Sequence, residues 1–93
     1  MRVEVHVAAP LQRLLGGARR VNADGGSILN LLENLERDYP GFKSQVVTPE
    51  GDLRPFVNVY LNDEDIRFLD SLNTPLHDGD VVAIMPAIAG GSR

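Results

Sequence analysis

One long stretch of the chain has the spacing of an amphipathic helix. Ile28, Leu31, Leu32, Leu35 and Tyr39 recur at intervals of three and four, with Asn30, Glu33, Asn34, Glu36 and Arg37 on the opposite side. Ser27 stands where a hydroxyl accepts from a free amide of the first turn, and Pro40-Gly41 stops the run. A single helix cannot bury its own apolar stripe. The rest of the chain must supply the surface it packs on, and there the apolar residues are spaced for strands.

Val3, Val5 and Val7 alternate with Arg2, Glu4 and His6, a period of two. Ala9-Pro10 ends that run, and Leu11, Leu14 and Leu15 are apolar anchors in the connection. After the Gly16-Gly17 turn, residues 18–23 read as a strand returning antiparallel to the first, polar enough for a sheet edge. Beyond the helix, residues 42–47 read as a short helical turn docking Phe42 and Val46, and 48–55 as a surface loop. Residues 56–61 alternate again, with Val57, Val59 and Leu61 on one face and Phe56, Asn58 and Tyr60 on the other. Residues 62–65 read as a turn and 66–68 as a short strand pairing back. Asp78-Gly79-Asp80 turns the chain into residues 81–86, an almost wholly apolar run of the kind a central strand requires. This order predicts an α+β fold, a mixed sheet of four to five strands with one main helix across one face. With the last strand central and parallel to the first, it is a ubiquitin-like β-grasp.

The chain has 93 residues, enough for one core and too few for two. It has no internal repeat and no dividing linker. Residues 1–86 are expected to form the domain, and 87–93 a flexible arm. No apolar run approaches the roughly 20 residues of a bilayer span, and the acid-bearing N-terminus is unlike a secretory leader. A cytoplasmic protein without a membrane partner is the expectation. Nine basic against thirteen acidic residues argue against nucleic acid. With no cysteine there is no disulfide, thiolate metal site or cysteine nucleophile.

Catalytic and nucleotide-binding patterns are also missing. Neither a phosphate-binding loop nor Gly-x-Gly-x-x-Gly occurs. His6 and His77 are isolated and read as solvated side chains. Asp63, Glu64 and Asp65 lack the remaining positions of a calcium loop and read as an acidic turn, so no metal site is expected. The informative feature is the glycine doublet Gly90-Gly91, just beyond the most apolar run and its closing Pro86. Gly16-Gly17 and Gly25-Gly26 are doublets too, so position gives this one its weight. Consecutive glycines pass through a channel that any side chain would block. A frayed end is the other reading. If Val82 and Ile84 face the helix, Val81, Ala83 and Met85 share the outer face with Phe56 and Tyr60. That face is either a docking surface anchored by the adaptable Met85 or one partly covered by loops.

From Pro55 to Gly91 the sequence resembles the ThiS/MoaD family of β-grasp sulfur carriers. The stretch Phe56-Val57-Asn58-Val59-Tyr60-Leu61-Asn62-Asp63-Glu64-Asp65-Ile66-Arg67-Phe68 is most similar to its CysO-like, cysteine-biosynthesis branch. The Asp78-Gly79-Asp80 turn, the strand ending at Pro86, Gly90-Gly91 and the helix before Pro40-Gly41 fit as well. The resemblance implies a protein co-substrate, not an enzyme. An E1-like enzyme using ATP and magnesium would adenylate the glycine carboxylate, and sulfur would displace AMP to leave a thiocarboxylate for a cysteine synthase-like acceptor. Gly91 would be the charged residue, with Gly90, Ala89, Met85, Pro86, Phe56 and Tyr60 contacting partners. The chain itself would hold no cofactor.

One departure matters. Family carriers usually end at the second glycine, whereas Ser92-Arg93 follow here. Either a JAMM-type metalloprotease removes them or they are a cloning remnant. The other functions in view are a ubiquitin-like modifier joined to lysine through Gly91, a carrier for molybdopterin, thiamine or a secondary metabolite, and an interaction module with an unused tail.

Overall fold

The computed structural model describes residues 1–86; the expected arm, 87–93, lies outside the described residues. Strand β1 (Arg2–Val7) is followed by the helical turn α1 (Ala9–Gln12), and strand β2 (Arg20–Asp24) returns beside β1. Helix α2 (Ile28–Asp38) and the short helix α3 (Phe42–Val46) come next. Strands β3 (Val57–Leu61), β4 (Glu64–Asp65) and β5 (Val81–Pro86) complete one five-stranded sheet of order β2-β1-β5-β3-β4. β5 is central, parallel to β1 and antiparallel to β3. That is the β-grasp arrangement expected from the order of elements.

The core follows the two periodicities. Val3, Val5 and Val7 of β1, Val57 and Val59 of β3, and Val82 and Ile84 of β5 are buried. They meet Ile28, Leu31, Leu32 and Leu35 of α2, with Phe42 and Val46 of α3 filling the side. Each such side chain contributes about 1.5–3 kcal/mol when fully buried. The connection after β1 is more ordered than expected. Pro10 lies in the first turn of α1, where its missing N–H costs nothing, and Leu11 and Leu15 seal the sheet's end.

Local hydrogen bonds fix where α2 begins. The Ser27 hydroxyl accepts from the Asn30 amide at 3.1 Å, and the Asn30 side chain accepts in return from the Gly26 amide at 3.0 Å. Asn34 Nδ2 donates to the Asp24 carbonyl at 2.7 Å and ties the helix to β2. At the far end, the Glu36 carboxylate accepts from the Gly41 and Lys43 amides, joining α2 to α3. Those two amides hold its carboxyl below the usual range.

The structure corrects the reading of residues 62–68. The strand pairing back is Glu64–Asp65, and Ile66–Phe68 is a 3-10 helix. Asn62 (φ 49°) and Asp63 (φ 73°) are both left-handed, so two residues suffice to turn the hairpin and β4 starts sooner. The Asp65 carboxylate then accepts from the Arg67 amide at 2.9 Å, and Ile66 is buried in the core, which ends β4 after two residues. Residues 69–77, without periodicity in sequence, run along the start of α2. The Thr74 carbonyl accepts from the Ile28 amide, the Leu76 amide donates to the Gly26 carbonyl, and Leu72 and Leu76 are buried. Among the described residues no helix is long and apolar enough to cross a membrane.

The β2–α2 connection permits no side chain at position 25. A Cβ there would stand 2.7 Å from Leu31 Cα and 2.8 Å from Leu31 N. Gly25→Ala is expected to cost about 1–3 kcal/mol in urea unfolding. Gly26→Ala, with nothing within 4 Å of its Cβ position, should stay within about 0.5 kcal/mol of the parent.

Candidate functional site

Strand alternation places the outer face of the sheet. Val82 and Ile84 are fully buried toward α2, whereas Val81 and Ala83 are half-buried and Met85 is 43% exposed on the other side. Ala83 lies opposite His6 on one side and Tyr60 on the other, and Met85 lies opposite Asn58. Because Ala83 is the smallest side chain of that row, a shallow depression of about 300 Å³ opens there, lined by Tyr60, Asp63, Ala83 and Met85. The structure thus brings Tyr60 and Met85 together. Phe56 stands in the turn before β3 rather than in the strand, 67% exposed. The Val57 amide donates back to the Arg54 carbonyl, which closes that turn and delays the strand by one residue. Gly90, Gly91 and Ala89 lie outside the described residues.

Pro86 ends the described part of β5, and the surrounding bonds define how the chain leaves. The ladder to β1 stops at Ile84, whose carbonyl accepts from the Ala8 amide at 3.2 Å. Met85 and Pro86 therefore run past β1 and pair only with β3, at Asn58 and Val57. Pro86 has no N–H to contribute to its pair.

Arg67, which the sequence did not mark out, fastens this corner. Its Nη2 donates to the Arg54 carbonyl at 2.9 Å and the Val57 carbonyl at 2.7 Å, and its Nη1 to Asn58 Oδ1 at 3.2 Å. One guanidinium spans the turn that carries Phe56 and the strand beside Met85 and Pro86. In sequence it sits in an apparent strand, with nothing to show that its fork faces backbone carbonyls.

A second lock holds the start of β5. The Asn62 side chain donates to Asp80 Oδ1 at 3.0 Å and accepts from the Val81 amide at 2.9 Å. Asp80 Oδ2 accepts from the His77 amide at 2.8 Å. The Asn62 amide, then the His77 amide, hold the Asp80 carboxyl below its ordinary value of 3.8, against the opposing effect of partial burial. Asp80 is thus more than a turn former; it ties the hairpin to the central strand. His6 Nε2 lies 2.7 Å from Glu4 Oε2, an outer-face pair on β1.

Two outcomes are expected from these locks. Because the folded state depresses the Asp80 pKa, its contribution to stability is complete above 3.8 and lost as pH falls through the lower folded value. Asp80→Asn should therefore be less stable at neutral pH and lose less stability between neutrality and acid, measured by denaturant titration at each pH. Arg67→Ala should cost about 1–2 kcal/mol, chiefly by leaving the part-buried Val57 carbonyl without its donor, and Arg67→Lys most of that, in the same assay.

The comparisons with known proteins bear on this architecture as a whole. Residues 5–91 match the ThiS family. Sulfur carrier protein CysO of Mycobacterium tuberculosis is 41% identical over 93 residues, covering 98% of this chain and 100% of that one. Small archaeal modifier protein 3 of Haloferax volcanii is 35% identical over 68 residues, 73% of each chain. A chain in the crystal structure of the Amycolatopsis orientalis BexX/CysO complex superposes with a TM-score of 0.89 at 39% identity, over 96% of this chain and 99% of that one.

Proposed function

The chain belongs to the ThiS family, and we propose that within it this protein is a sulfur carrier of the CysO type, a co-substrate of other enzymes rather than a catalyst. The observation that carries this reading is the extent of the likeness. Identity of 41% with a sulfur carrier runs over 98% of the chain, and the family match ends on Gly91.

Gly91 is the residue to be charged. Its carbonyl is an amide while Ser92 follows, and an amide is a poor acyl donor. Hydrolysis of the 91–92 bond comes first, a task suited to a JAMM-type metalloprotease. The freed carboxylate attacks the α-phosphorus of ATP, held with magnesium by an E1-like enzyme, and pyrophosphate leaves. A sulfide nucleophile then adds to the acyl carbon and AMP departs with the C–O electron pair, so that C–S replaces C–O. The thiocarboxylate sulfur attacks an electrophilic carbon held by a cysteine synthase-like acceptor, and that carbon's leaving group departs with its bonding pair. Hydrolysis of that thioester leaves the sulfur on the product and regenerates the glycine carboxylate.

The folded part contributes position and a handle. Gly90 and Ala89 offer at most a methyl group to a narrow channel. Five residues separate Pro86 from the far side of Gly91, so a partner's reacting centre must lie within about 17 Å of the sheet's end. The exposed Met85 beside Pro86, the Tyr60–Ala83 depression and Phe56 form the surface a partner grips.

The chain cut after Gly91, incubated with the host's E1-like enzyme, ATP, magnesium and sulfide, is expected to gain the mass difference between sulfur and oxygen. Met85→Asp should slow this charging about tenfold without lowering the unfolding midpoint. Absence of the mass gain with an enzyme that charges another carrier defeats the reading. The modifier relative favours a second function, isopeptide conjugation through Gly91. A ladder of high-mass species on denaturing blots of the host, absent for Gly91→Ala, would select it over the carrier.

A further inference from the structure

The chain has three phenylalanines, and only Phe42 is in the core. Phe68 is 82% exposed and its neighbour Leu69 37% exposed. An exposed aromatic forgoes about 1.5–3 kcal/mol of burial. Phe68 and Leu69 line a groove of about 530 Å³ whose rim also carries Leu61, Asn62, Glu64, Asp70, His77 and Asp80.

The groove is separate from the face that carries Met85. Leu61 belongs to the strand face of Val57 and Val59, and Tyr60 to the opposite one, so the two depressions lie on opposite sides of the sheet. Asn62 and Asp80, at the groove's edge, are at the start of β5; Pro86 is one strand away, about 17 Å.

Charge says what the groove accepts. Residues 62–80 carry six acidic side chains, Asp63, Glu64, Asp65, Asp70, Asp78 and Asp80, against Arg67 and the Asp80-paired His77, and three of the six, Glu64, Asp70 and Asp80, line the groove. Elsewhere the chain has seven acidic and eight basic residues, so the whole of its negative excess sits in this segment. Of the carboxylates on its rim, Glu64 and Asp70 form no ion pair among the described residues. Their field is available to an incoming cation.

We infer that this groove docks a segment of a partner protein in which an apolar side chain is flanked by arginine or lysine. The apolar side chain seats against Phe68 and Leu69, and the cations meet Glu64 and Asp70. Since this surface faces away from Met85, a partner held here leaves the other face of the sheet accessible to a second protein.

The test uses the full chain, isotopically labelled, and two synthetic peptides of equal length. Each has a central Leu-Trp pair, flanked by arginines in one and by glutamates in the other. The arginine peptide is expected to shift the amide resonances of Leu61, Phe68, Leu69 and Asp70 and to leave Ala83 and Met85 unmoved. Its affinity should fall about tenfold in Phe68→Ser and in Glu64→Gln/Asp70→Asn. It should also weaken as salt approaches about 1 M, where screening acts within about 3 Å. The unfolding midpoint of each variant is measured alongside, since a side chain this exposed should be replaceable without loss of fold. Equal binding of both peptides, shifts centred on Met85, or unchanged affinity in Phe68→Ser would each overturn the proposal. So would a concentration-dependent dimer in sedimentation that Phe68→Ser dissolves, which would assign the patch to a second copy of the chain. Sulfur charging of Gly91 plays no part in these readouts, so the outcome stands apart from the fate of the carrier reading.

Discussion

The parallel pairing of β1 with β5 is the constraint on which the rest of the structure depends. It joins opposite ends of the described chain: the Arg2 amide donates to Asp78 Oδ1 across 76 positions, and the Gly79 amide and Arg2 carbonyl close the same junction. Closing so long a loop costs conformational entropy before any contact rewards it. The return comes from burial. Val3, Val5, Val82 and Ile84 are at most 1% exposed, and α2 lies across all of them. The strand that leads to the glycine doublet is therefore the most deeply embedded in the sheet, held on one side by β1 and on the other by β3.

Much of this was legible in sequence because it rests on periodicity. The stripe from Ile28 to Leu35, the alternation of Val3, Val5 and Val7 and the apolar run of β5 each have one way to bury themselves. Ser27 as a cap and Gly16-Gly17 as a turn are equally local, and both glycines take positive φ. What escaped depends on partners distant in sequence. Ile66 reads as strand in the series Ile66-Arg67-Phe68, but its burial and the Asp65 cap make a 3-10 turn. Arg67 and Asp80 are ordinary surface types until the fold places backbone carbonyls beside one and Asn62 beside the other. The outer face was inferred from alternation, and Met85, Ala83 and Tyr60 do share it; Phe56 instead belongs to the turn that Arg67 fastens. The family resemblance rests on residues 27–41 and 55–91, whereas the chemistry proposed for Gly91 falls beyond the described residues.

The two locks divide the labour around β5. Asn62 and Asp80 set where the strand starts, and Arg67 fixes the turn and strand beside its last two residues. Between them Val82 and Ile84 turn to the core, and Val81, Ala83 and Met85 turn outward. For a protein proposed to present its chain end to other proteins, the rigid part is the platform, and its stiffness comes from side-chain bonds to backbone rather than from added length.

The brevity of β4 has a consequence for the behaviour of the molecule in a crowded solution. A sheet margin with a long row of idle amides and carbonyls is a template on which further chains can grow. Here the outermost strand is only two residues long and is cut off by a 3-10 turn, and Arg67 Nη2 occupies the Val57 carbonyl on the stretch of β3 that β4 leaves uncovered, while the opposite border, β2, exposes Arg20, Asn22 and Asp24. Neither border offers a long apolar template for strand addition, because one is short and the other is polar.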